Sequence, residues 1–341
     1  MNEATLYREL FETATAFCDL RLWETYANAH CFAVKVEEEE HPLFASILGN
    51  GGEEFGLSLM RGEAGYDRLL TMFSADFDDD AGEQMNILGF TMTPMALIPP
   101  DFRRPFQLAG PRWTARGAVV PFFLIKELGK RPRGLCVEDA RLVLHVLKGV
   151  LKAHHGGLLT PKLLMPGGEM LTLTLSGDVA DPDVGTAWIK YEEGSAPTTG
   201  EAAPLVGGIE SLPILPHRWF VGFPVLPIRI DNDDRTVRAV LVVDAASELI
   251  LGTEVVAAND MREASNCLLH TLEQARGLPR EMVFSSRQLF DAVAPGLESL
   301  GVTCTLQTEL PVLNRVVAEL VAHFGANEGG SRRRRRTRRR R

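Results

Sequence analysis

The chain has 341 residues, 45% hydrophobic and 24% charged, which supplies apolar material for two folded cores and excludes a disordered polymer. Its net charge is −9, yet nine arginines fall between residues 332 and 341; without them the rest carries −18, a body that repels phosphate polymers and leaves any such binding to that segment. No run approaches the ~20 apolar residues of a membrane helix, and five scattered cysteines (Cys18, Cys31, Cys136, Cys267, Cys304) without a CxxC pair argue against disulfides and zinc, so a cytoplasmic protein with no membrane contact is expected, its thiols acting as small core residues.

In chain order, Leu6, Leu10, Phe11, Ala14 and Phe17 recur at helical spacing and predict an amphipathic opening helix over 4–20. Strands follow at 31–36, 43–48 and 55–60, the last two joined by a Gly49–Gly52 turn, and read as an antiparallel meander. A short helix at 65–73, an acidic loop at 76–83 and a strand at 84–90 come next. The clearest helix spans 136–154, with acids in its first turn and bases in its last, as the helix dipole favours. Strand-like runs at 171–175 and 186–191 close an N-terminal domain over 1–191. Residues 192–217 are rich in Gly, Pro, Ala and Glu without apolar periodicity and predict a linker.

The second domain, 218–326, reads as extended runs at 219–230, 237–244 and 249–257, a helix from the Asp260 cap to about Ala275, a strand at 282–284, a helix at 288–300, a strand at 302–306 and a last helix at 311–324. The fold class is therefore mixed: an antiparallel-sheet α+β domain followed by a β-β-β-α-β-α-β-α domain, with residues 327–341 as a disordered Arg-rich tail.

That second order resembles the ribonuclease H-like fold, whose enzymes hold metal ions on acidic residues of adjacent strands. Asp244, ending a buried strand, is the candidate first ligand, and Glu309 a further one; Ser285-Ser286 stand where another carboxylate is wanted. A degenerate, binding version of the fold fits these residues better than an active one. The bland role for Asp244 is to begin the turn Asp-Ala-Ala-Ser.

Over nearly its whole length to about residue 325, the chain is also similar to an uncharacterised bacterial family of two domains of unknown function. The matching features include Leu6-Tyr7, Leu22-Trp23-Glu24, Arg61-Gly62, Val242-Val243-Asp244, Gly301-Val302 and Leu310-Pro311-Val312-Leu313. The resemblance implies the domain division and no activity. Some members of that family end in a cysteine-rich zinc motif, where this chain has arginines.

The most specific chemical feature is the run Arg332, Arg333, Arg334, Arg335, Arg336, Arg338, Arg339, Arg340 and Arg341, which predicts nonspecific, salt-sensitive binding to RNA or DNA; the competing reading is a solvated extension with no selected role. In the first domain Arg61, Arg103, Arg104, Arg112 and Arg116 would form an anion site or a partner-binding face if they converged, with Trp23 and Trp113 as aromatic anchors. His154-His155 reads as helix-end chemistry, and the runs at Glu37–Glu40 and Asp76–Asp80 as solvated turns without calcium-loop spacing. No cofactor motif is present and no metal site is expected. Three functions stay open: a non-enzymatic binding or adaptor protein for a protein partner and, through the tail, nucleic acid; a metal-dependent nuclease centred on Asp244; and a structural protein.

Overall fold

The computed structural model describes residues 2–73, 86–191, 208–226, 228, 234–307, 309–320 and 322. The chain divides into two compact units, Met1–Leu128 with Pro132–Ala196 and Gly129–Arg131 with Pro197–Arg341.

In the first unit α1 (Glu3–Asp19) starts where the Asn2 side chain accepts a hydrogen bond from the Thr5 backbone N–H at 2.9 Å, and it buries the stripe Leu6, Leu10, Phe11, Ala14 and Phe17. Strands β1 (His30–Val36), β2 (Leu43–Leu48), β3 (Gly56–Arg61), β4 (Ile87–Pro94) and β5 (Val119–Lys126) run as an antiparallel meander. β6 (Lys162–Leu163) pairs with β1, and β7 (Glu169–Ser176) and β8 (Asp183–Lys190) complete the order β5-β4-β3-β2-β1-β7-β8.

Two features depart from the expected pattern. β7 lies parallel to β1, so the sheet is mixed, not purely antiparallel. β5 is a strand that periodicity does not announce, because its apolar run does not alternate and contains Pro121; at the end of the sheet order the missing N–H of a proline is tolerated.

Alternation along β1 shows how the sheet is used. Phe32, Val34 and Val36 join the larger core with α1, α3 (Arg104–Ala109) and α4 (Val137–His155), while Cys31 and Ala33 join a smaller one with Tyr66 and Leu69 of α2 (Glu63–Met72). α4 is fixed at its start by Cys136, whose Sγ donates to Asp139 Oδ2 at 2.9 Å while the Asp139 carboxylate also accepts from the Cys136 N–H at 3.1 Å. Burial alone would raise the Asp139 carboxyl, but hydrogen bonds from Arg133 and Cys136 outweigh it and hold it below the usual carboxylate range. Cys136 is exposed and serves as this cap, unlike the other four thiols, which are buried and pushed up to about 12 chiefly by desolvation.

In the second unit β9 (Ile214–Gly222) begins four residues inside the stretch expected to be linker. β10 (Val225–Leu226), β11 (Val237–Asp244) and β12 (Ile250–Ala257) follow, then α5 (Met261–Ala275), β13 (Leu278–Phe284), α6 (Arg287–Ser299), β14 (Thr303–Leu306) and α7 over residues 311–320. The side chains of Asp260 and Ser286 cap α5 and α6. β12 runs along the whole of β11, so β9 and the short β10 share the other side of β11, and the sheet reads β12-β11-β9-β13-β14. β9, β13 and β14 are mutually parallel, and β11 opposes them. α5 and α6 cover one face over Val221, Val242, Met282 and Phe284; the other carries Leu241, Val243 and Val283 against Leu310, Leu313 and α7. Among the described residues this is the mixed architecture expected, two mixed sheets with seven α-helices.

Candidate functional site

β11 is the most buried strand of the second unit, and Asp244 is its last residue. The chain then folds back: the Asp244 N–H donates to Leu249 O and the Glu248 N–H to Asp244 O, both at 2.9 Å. Asp244 Oδ2 accepts from the Ser247 N–H at 2.9 Å and from its hydroxyl at 2.6 Å. These Ser247 contacts lower the Asp244 pKa. His217 Nδ1 stands 3.7 Å from Oδ1. The carboxylate thus closes the β11–β12 turn, as the Asp-x-x-Ser spacing permits.

Glu309 lies elsewhere. Asp244 pairs with Trp219, which is level with Met282 of β13 and Cys304 of β14. From that level the β11–β12 turn proceeds toward Arg218, whereas β14 proceeds the other way, past Leu306 and Gln307, to reach Glu309. Three strand spacings separate β11 from β14, roughly 14 Å across the sheet alone. The two candidate carboxylates are not brought together. At the C-terminal ends of β9 and β13 the chain places Gly222 and Ser285-Ser286; the Ser285 N–H donates to Val221 O, and Ser286 caps α6. Among the described residues no group of three or more His, Cys, Asp or Glu could hold a metal ion. Asp231 and Asp233, and the whole arginine run, lie outside the described residues.

In the first unit the cations flagged by sequence have separate fates. Arg61, at the end of β3, pairs with Glu39 at 3.5 Å. Arg104 pairs with Glu3 at 3.1 Å, and Arg112 stacks on Trp113 at 4.9 Å. Trp113 is only 4% exposed and packs edge-on against Phe11 at 5.3 Å, so its ring serves the core instead of a docking face. Trp23 is half-buried against Phe55 at 4.7 Å, seated over Gly49, where a Cβ would meet the indole at 2.7 Å. Arg103 and Arg116 do converge: both line a cleft of about 430 Å³ with Gln107 and Thr114. A second cleft, about 640 Å³, is lined by Glu37, Glu39, Glu40, Glu63, His41 and Lys35 among others, so the acidic run borders a concavity and is not only a solvated turn.

Two buried polar groups carry no signal in the sequence pattern. His145 on α4 is 3% exposed, its Nε2 has no hydrogen-bond partner among the described residues, and burial lowers its pKa. Arg238 is 1% exposed on β11, donates to Phe223 O at 2.9 Å and stacks on that ring at 5.0 Å. Each sits within an apolar strand or helix run, where a lone polar residue does not disturb the periodicity.

Two family models match the chain: a domain of unknown function (DUF7309) over residues 7–173 and a domain of unknown function (DUF6930) over residues 208–321. No curated protein matches it. Among the described residues no helix is long and apolar enough to cross a membrane.

Proposed function

The chain belongs to a two-domain family that joins these domains of unknown function, and from that premise we propose that it is a non-enzymatic binding protein whose arginine run adds nonspecific affinity for RNA and DNA. One observation carries the reading. The second unit has the strand order β12-β11-β9-β13-β14 with β11 opposed, which supports a ribonuclease H-like sheet, yet its strand-end carboxylate Asp244 is engaged by Ser247 and set apart from Glu309. A sheet arranged this way offers a rigid platform for recognition without the paired acids that two-metal phosphodiester chemistry requires.

The nucleic-acid part rests on the charge pattern. A body of −18 repels a phosphate backbone at long range, and nine guanidinium groups in ten residues attract it by counterion release. Deleting Ser331–Arg341 tests this with RNA and DNA retention measured from low to physiological salt. The full chain is expected to lose affinity steeply, with a slope of log K against log salt of roughly −5 or steeper if most of the nine engage duplex phosphates. The deleted chain should bind neither polymer measurably. Equal retention by the two proteins would remove the nucleic-acid role from the tail.

A further inference from the structure

Among the arginines between residues 61 and 116 of the first unit, Arg61, Arg104 and Arg112 are satisfied locally by Glu39, Glu3 and the face of Trp113. Arg103 and Arg116 form no ion pair among the described residues and line one cleft of about 430 Å³, a volume in the range of small-molecule sites. In a body of −18, it is notable that no Asp or Glu lines this cleft.

The walls come from short segments. Turns at Met95–Leu97 and Pro100–Phe102 lead into α3, and Pro111–Thr114 leads into the Ala115–Gly117 loop before β5. Arg103 is held in place: its Nε donates to Ile98 O at 2.8 Å, which fixes the guanidinium plane and leaves the Nη groups as donors. Arg116 is exposed and lines the cleft from the Ala115–Gly117 loop. Gln107 and Thr114 add neutral hydrogen-bonding groups, and Met95 and Ala96 an apolar floor.

We propose that this cleft binds a small phosphate monoester, its phosphate held between Arg103 and Arg116 and its organic part lying along Met95 and Ala96. A dianionic phosphate with three terminal oxygens can accept from two guanidinium forks at once, which a single carboxylate does less well. The site is in the first unit and does not depend on the arginine run or on the nucleic-acid reading.

The test is calorimetric titration of the full chain at physiological salt with AMP, with adenosine and citrate as comparison arms. The arginine run is present in every protein used, so its contribution is common to all. AMP is expected to bind saturably at one site per chain, adenosine not measurably, and citrate at least tenfold more weakly than AMP. Arg116→Ala, at an exposed position that cannot threaten folding, should weaken AMP about tenfold, the loss of one charge-assisted pair. Arg103→Ala with Arg116→Ala should abolish the saturable phase, and Arg103→Lys should recover only part of it because the fork geometry is gone. Absence of saturable AMP binding, or binding of equal strength in wild type and Arg116→Ala, would overturn the proposal, as would citrate binding as tightly as AMP.

Discussion

Phe11→Ala is expected to destabilise the first unit by about 4 kcal/mol, the scale of deleting a buried aromatic ring. Phe11 is 1% exposed and is where four elements meet: its ring stacks on Phe106 at 4.7 Å, meets Trp113 edge-on at 5.3 Å, and lies 5.9 Å from Phe123 and 6.3 Å from Tyr7. Truncation empties a space bounded by α1, α3, the Pro111–Thr114 turn and β5, and rings on so many elements cannot all collapse inward. Urea unfolding followed by far-UV circular dichroism reads the cost. A loss below about 1 kcal/mol would show that the aromatic cluster is not the centre of this core.

Gly56→Ala is expected to cost about 3 kcal/mol, for a different reason. Gly56 faces Thr91 in the β3–β4 ladder, and a Cβ there would stand 1.9 Å from Phe90 O and 2.9 Å from its carbonyl carbon. Those are backbone atoms, so relief requires parting two central strands instead of turning a side chain. Gly51→Ala is the matched control. A Cβ at Gly51 meets nothing within 4 Å, and the change should be neutral or slightly stabilising through the unfolded chain. The same unfolding measurement on both proteins separates them, and equal stability of the two variants would contradict the close approach of β3 and β4.

Much of this fold is legible in the residues because the informative signals are local. Asp260 before an apolar-periodic run marks the start of α5, and the acids and bases at the two ends of α4 mark its direction. Non-local facts are not legible in this way. Nothing near Ala33 announces its parallel partner Thr172, and Pro121 masks β5 because its tolerance depends on the place of that strand in the sheet. Asp244 ends β11 and Glu309 follows β14 by three residues, and only strand direction reveals that the chain carries them apart. Arg103 and Arg116 show the converse: twelve residues of turns and a short helix between them fold them onto one cleft, while Arg104 beside Arg103 turns to Glu3.

The central claim is that this protein recognises without cutting. It is tested most directly by incubating the full chain with labelled single- and double-stranded RNA and DNA in Mg²⁺ or Mn²⁺, and resolving the products on a denaturing gel. The result expected is polymer that is bound at low salt and recovered intact, with Asp244→Asn behaving as the wild type does. Metal-dependent cleavage by the wild type that Asp244→Asn abolishes would contradict it and would make Asp244 a catalytic ligand instead of the closure of a turn.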